Sequence, residues 1–214
     1  MSTFGYKHNC ALAHALELLG ERWTLLVVRE LLLGPQRFTD LLERLKGVTP
    51  SVLTGRLKAL TEQGVIALSV LPPPAARNVY RLTERGEGLR AVVYAMMRWG
   101  EAGEVWRAGD HFEPEWAMLA FDARRASGPA PKRRIALEVT HKQKRARILV
   151  EGGPKGVAVS LSEAPGDVLA RGRFPIVWMI AAGVLDAKKA RAAGDLEIEG
   201  DVRALADLAA MFEM

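Results

Sequence analysis

The sequence predicts an α+β protein in two parts, a helical first domain containing one short hairpin and a smaller second domain of mixed strands and helices. Three observations carry this. Apolar residues recur at helical spacing as far as Leu60, with glycines closing the segments. The pattern then switches to two short strand-like runs around Pro72-Pro73-Pro74. Beyond Ser127-Gly128-Pro129-Ala130-Pro131, a linker signal, it becomes strands followed by helices. The expected organisation is a domain over 1–107, a connecting helix and linker over 108–131, and an α+β domain over 132–214.

The elements follow in order. Cys10 to Leu19 reads as a helix stopped by Gly20, and Arg22 to Leu33 as a buried central helix, apolar on nearly every side apart from Arg29 and Glu30. A third helix runs from Phe38-Thr39 to Leu45. The fourth runs from Pro50 to Gln63, with Thr49 or Ser51 as N-cap, Pro50 near the first helical position and Gly64 at the C-terminal stop. Val65 to Leu71 and Asn78 to Leu82 form the hairpin. Thr83 caps a long helix reaching about Trp106. Pro114 to Arg125 holds a short helix. Strands are expected at 135–139, 146–150, 157–161 and 196–198, helices over 174–184 and 186–193, and a last helix capped by Asp201.

Composition narrows the function. Hydrophobic residues make up 49% and charged residues 26%, which argues against a largely disordered chain. The longest uncharged apolar stretch, Phe174 to Leu185, is shorter than the roughly 20 residues of a membrane-spanning helix. Lys7, His8 and Asn9 stand where a signal peptide would be apolar, and a lone cysteine fits a reducing compartment, so a cytoplasmic protein is expected. The net charge is +5; residues 1–107 hold 14 basic and 10 acidic side chains, a net of +4, so most of the excess lies in the first half. Four scattered histidines, His8, His14, His111 and His141, have no metal-ligand or acid–base spacing, and no phosphate-binding glycine loop is present. An enzyme is not expected, and no cofactor or metal is implied.

The order helix, helix, short helix, helix, hairpin, long helix is that of a winged helix-turn-helix, in which supporting helices present one helix to the DNA major groove. At about 100° per residue, Leu53, Leu57 and Leu60 form the inner stripe of the fourth helix. Ser51, Thr54, Gly55 and Lys58 fall opposite, on a small, polar and basic face suited to base edges and phosphates. Arg56 lies at the rim, placed either for a phosphate or for an ion pair with an earlier helix.

Ordered blocks strengthen this reading. They are Cys10-Ala11, the run from Ala15 to Leu26 containing Gly20-Glu21-Arg22-Trp23, Arg29-Glu30-Leu31, Gly34 to Leu41, Leu53 to Leu60, Tyr80 to Gly86, and Trp99-Gly100. In these the chain resembles the HxlR-type family of bacterial winged-helix regulators. The resemblance implies a homodimer on two half-sites of double-stranded operator DNA. On that reading the groove face is expected on the bases, with Arg37, Thr39, Arg56 and Arg77 on phosphates. The resemblance also implies a dimer contact formed largely by the long helix with the first helix, where Met96, Met97, Trp99 and Trp106 serve either the interface or the monomer core. In some members a cysteine at the position of Cys10 senses oxidants, which makes Cys10 a candidate redox sensor beside its plainer reading as a packing residue. Two departures stand out: Cys10-Ala11 replaces the frequent Cys-Pro, and Ala67 to Leu71 in the wing is nearly apolar.

Residues 133–214 resemble a sterol carrier protein 2-like domain, chiefly in Ala193-Gly194-Asp195-Leu196-Glu197-Ile198-Glu199-Gly200-Asp201. The implied fold is a curved sheet with helices over one face and an apolar tunnel for a lipid-like effector. Phe174, Val177, Trp178 and Met179, in a helix apolar all round, are the candidate pocket, an ordinary filled core being the alternative. Seven basic residues between Lys132 and Arg147, against the single acid Glu138, either extend a DNA footprint or form a solvated face. The rival to a regulator is a lipid-binding or dimerisation protein whose winged helix serves protein contacts.

Overall fold

The computed structural model describes residues 5–72, 74, 77–101 and 110–213. They divide into two compact units, one up to Val93 and one from Tyr94 onward. Helix α6, Arg90–Gly100, begins in the first and continues into the second.

The first unit opens with α1, Ala11–Leu19, and α2, Thr24–Leu32. The expected start of α2 at Arg22 is displaced because Trp23 adopts a left-handed conformation, φ 78°, so helical geometry begins only after it. Its indole lies beside Gly47, under 4 Å from where a Cβ would sit there. Helix α3, Phe38–Arg44, and α4, Pro50–Glu62, follow. Buried Val27, Val28, Leu31, Leu41, Leu53, Leu57 and Leu60 make the core between these helices. Within it sits a carboxylate: Glu30 is fully buried, held by Arg29 Nη2 at 2.6 Å and Arg44 Nε at 2.6 Å, which ties α2 to α3.

Strands β1, Ile66–Val70, and β2, Asn78–Leu82, form an antiparallel hairpin in which Leu68 faces Tyr80. Gln36 adds a one-residue bridge: its N–H donates to the Tyr80 carbonyl at 2.9 Å and its carbonyl accepts from Tyr80 N–H at 2.7 Å. The long helix expected after Thr83 is broken. Thr83 caps only α5, Glu84–Glu87, and a turn at Gly88-Leu89 precedes α6. The first turn is bound to the hairpin, since Thr83 Oγ1 donates to the Gly64 carbonyl at 2.6 Å and a Cβ on Gly86 would stand 2.1 Å from the Val65 oxygen. Glycines at 86 and 88 also weaken helix continuation.

The second unit contains α7, Trp116–Asp122, and five strands, β3 Arg134–His141, β4 Lys144–Gly153, β5 Gly156–Leu161, β6 Val168–Arg173 and β7 Leu196–Gly200. The sheet order is β5-β4-β3-β6-β7, antiparallel except where β6 runs parallel to β3. Helices α8, Phe174–Ala181, and α9, Ala187–Ala192, lie between β6 and β7, and a 3₁₀ helix, Val202–Ala210, replaces the expected final α-helix. Helix α8 is shorter than expected because Gly183, φ 69°, turns the chain out of it.

One sheet face is apolar, with Ile135, Leu137, Val139, Ile148, Val150, Val168 and Ala170 all buried. Helix α8 covers it, Val177 reaching 3.6 Å from a Cβ built on Gly172. The other face is charged. Directly opposed residues alternate in sign across four strands as Arg147, Glu138, Arg171 and Glu197. The Glu138 carboxylate is buried and accepts from Arg145 at 2.7 Å, Arg147 at 2.9 Å and Arg171. Burial alone would raise its pKa. The hydrogen bonds of Arg171 and Arg147 and the charges of Arg171 and Arg145 outweigh that and hold it below the usual carboxylate range. Among the described residues no helix is long and apolar enough to cross a membrane.

Candidate nucleic-acid interface

The expected groove face lies on α4. Thr49 caps it, its Oγ1 accepting from Val52 N–H at 3.4 Å, and Pro50 fixes the first turn. Leu53, Leu57 and Leu60 anchor the inner stripe, which leaves Ser51, Thr54, Gly55 and Lys58 exposed within about a 100° arc of the helix. Thr54 Oγ1 donates its hydrogen to the Pro50 carbonyl at 2.8 Å, so it faces outward with lone pairs and a methyl. A Cβ on Gly55 would meet nothing within 4 Å, so no packing demand keeps that position bare. Lys58 is 75% exposed, with Glu62 at a loose 3.8 Å. Val52, also exposed, flanks this face. A lone apolar residue beside Leu53 carries no sequence signal of exposure; it offers a methyl surface of the kind that meets thymine.

The expected phosphate contacts are placed unequally. Arg37, half-buried, heads α3 with its guanidinium 3.9 Å from Asp40, and Thr39 Oγ1 donates to the same carboxylate at 3.4 Å. Arg56 takes the ion-pair alternative, with Glu21 at 3.1 Å as its acid in the turn after α1. Arg77 is exposed at the hairpin tip, where its carbonyl accepts from Leu71 N–H at 3.0 Å. The hairpin side chains Leu68 and Val70 are exposed and apolar.

A model of the HxlR-like helix-turn-helix family matches residues 18–105. An uncharacterized HTH-type transcriptional regulator of Mycobacterium tuberculosis is 41% identical over 91 residues, 42% of this chain and 57% of the relative, so the match spans little more than half of that relative's length. The HTH-type transcriptional regulator YodB of Bacillus subtilis is 36% identical over 87 residues, 41% of this chain and 78% of the relative. The chain belongs to the HxlR-like helix-turn-helix family. The solved structure of the reduced form of YodB is similar at 33% identity, covering 48% of this chain and 100% of that one, with a TM-score of 0.40.

Two further features of this HxlR-like chain bear on its expected roles. Cys10 is the exposed N-cap of α1, and backbone N–H groups of Ala13 and then Leu12 lower its thiol pKa, which favours thiolate. On α6, Val92, Met96 and Trp99 form one exposed apolar stripe, Trp99 being 83% exposed. Met97 is half-buried and about 140° from Val92 around the helix. Trp106 lies outside the described residues.

In the second unit Phe174 and Val177 are buried, and Trp178 and Met179 half-buried. Their rings meet other rings: Phe174 stacks on Phe112 at 5.4 Å, and Trp178 lies 5.3 Å from Phe121. The basic run is largely neutralised. Arg133 pairs with Asp207 at 2.7 Å, Arg134 with Glu151 at 2.9 Å, Lys144 with Glu113 at 2.8 Å, and Arg145 and Arg147 with Glu138. The acids that absorb it lie far away in sequence, apart from Glu138 and Glu151, which is why the local count read as a patch.

Proposed function

We propose that this chain is a cytoplasmic, homodimeric transcription regulator that binds double-stranded operator DNA sequence-specifically through α4. The observation that carries the reading is the face of Ser51, Thr54, Gly55 and Lys58, exposed above a stripe of fully buried leucines and free of acidic side chains until Glu62. Family membership and relatives described as transcriptional regulators support it. Arg37, Thr39 and Arg77 are assigned to phosphates, and Arg56 joins them by exchanging Glu21 for a phosphate. The stripe of Met96 and Trp99 is assigned to the dimer contact together with Met97, and Trp106, outside the described residues, keeps the same assignment. A mass of one 23.4 kDa chain by light scattering at working concentration overturns the dimer.

A gel-shift series against the chain's own upstream region and random DNA tests the interface. Lys58→Ala is expected to weaken binding to all sequences alike and to lower the salt slope by about one. Thr54→Ala is expected to change site preference by about 1–3 kcal/mol. Gly55→Ala is expected to weaken operator binding while stabilising the fold by about 0.5–1 kcal/mol, because the position is sterically open. Equal effects of all three on operator and random DNA reject the assignment, and no preference for operator in the parent favours the protein-contact rival.

Cys10 is assigned to redox tuning of that binding, supported by its exposure and helix N-cap position. Diamide is expected to change the operator affinity of the parent and leave Cys10→Ser unchanged; the same response in both removes the role. The second unit is read as the sterol carrier protein 2-like module, supported by its five-stranded sheet with α8 on the apolar face. Phe174, Val177, Trp178 and Met179 remain its assigned ligand-facing residues.

A further inference from the structure

An open groove of about 370 Å³ lies in the first unit between α1 and the junction that joins α4 to the hairpin. Its size falls at the lower end of small-molecule sites, about 300–1,000 Å³. Leu18 and Leu19 from α1 line one part, and Val65 and Leu89 another, so its walls are mainly apolar. Three polar side chains also line it, His14, Gln63 and Arg85, all exposed and therefore reachable from solvent. Among the described residues that line it there is no aspartate or glutamate, and Arg85 forms no ion pair with a described residue. A lone guanidinium beside an apolar wall balances one negative charge and offers a planar fork to a carboxylate. A phosphate dianion would need a second full cation, and the described lining residues include neither a lysine nor another arginine.

We propose that this groove binds a small monocarboxylic acid with an apolar body, the carboxylate on Arg85 and the body against Leu18, Leu19, Val65 and Leu89. Its position gives the ligand a route to α4. Gln63 ends that helix, Val65 N–H donates to the Leu60 carbonyl at 2.9 Å, and Thr83 N–H donates to the Val65 carbonyl at 3.0 Å. An acid bridging α1 to this junction therefore biases where α4 sits and acts as an effector. The effector role rests on the DNA-binding reading; binding in the groove does not.

Calorimetry on the full chain, with benzoate and 3-methylbutanoate as probes and benzamide as the neutral counterpart of benzoate, tests the groove. At least one acid is expected to bind, with benzamide at least tenfold weaker than benzoate where benzoate is the binder. Arg85→Ala is expected to weaken that acid tenfold or more, and Ala15→Phe, which fills the groove from α1, to abolish it. Both positions are exposed, and circular dichroism verifies folding. Absence of binding by both acids, equal binding of benzamide, or an undiminished Arg85→Ala variant overturns the site. A dimer that Ala15→Phe splits, with no acid bound by the parent, assigns the groove to a second copy and also overturns it. In a separate gel shift the bound acid is expected to change operator affinity threefold or more. An unchanged affinity overturns the effector role, and a parent that fails to bind any operator counts against the DNA-binding reading while calorimetry still decides the groove.

Discussion

Replacing Glu30 with alanine is expected to destabilise the first unit by about 3–5 kcal/mol, the usual result of removing one partner of a buried ion pair. The carboxylate is fully buried and receives Arg29 through Nε at 3.0 Å and Nη2 at 2.6 Å on one oxygen, and Arg44 Nε at 2.6 Å on the other. Without it, two guanidiniums that are less than a fifth exposed lose this carboxylate while the helices still hold them in place. At about 4–8 °C per kcal/mol for a unit of this size, the melting temperature should fall by more than about 10 °C. Operator binding should fall with it, because α3 and α4 take their positions from the core that this pair closes. Glu30→Gln, which keeps hydrogen-bond acceptance but not charge, should fall between parent and alanine variant. A melting temperature within a degree of the parent for Glu30→Ala would show that the pair contributes nothing.

Glu138→Ala is the second large effect, placed in the other unit. Three arginines converge on this carboxylate, two of them mostly buried, and its removal is expected to cost about 3 kcal/mol. It also gives the second unit an acid-sensitive term. The folded pKa of Glu138 lies below the usual value and the unfolded one is near 4.3, so the unfolded state binds the proton more readily. The stabilisation is therefore complete above about pH 4.3 and is lost as the pH falls through the depressed folded pKa. Urea midpoints followed by a probe in the second unit should drop between pH 7 and pH 3, and by less in Glu138→Gln than in the parent. The same drop in both would remove Glu138 as a source of the pH dependence.

Much of the first unit was legible because its signals are local. Thr49-Pro50 and Gly64 bound α4, leucines at 53, 57 and 60 fix its buried side, and both hairpin strands carry plain apolar runs. What was missed depends on distant partners. Nothing near Arg22 announces the left-handed Trp23, whose ring rests beside Gly47. The fate of Arg56 was open until the turn after α1 brought Glu21 to it. Strand β6 escaped notice because two of its three inward residues, Ala170 and Gly172, are small, leaving Val168 as the only strong apolar signal. The outward residues Arg171 and Arg173 add charge where a strand face would carry a plainer pattern. The 3₁₀ form of Val202–Ala210 shares its apolar spacing with an α-helix, and periodicity over nine residues separates the two poorly.

The alternating row of Arg147, Glu138, Arg171 and Glu197 has a consequence for how the sheet finds its alignment. A strand that slides by one residue turns its greasy side to water and is rejected at once. A slide by two is harder to detect, since small and apolar residues still face inward. For β6 one such slide would place Leu169 opposite Glu138, stranding a buried anion without its central cation. The charged row thus works as a vernier scale, distinguishing alignments that the apolar side reads as the same.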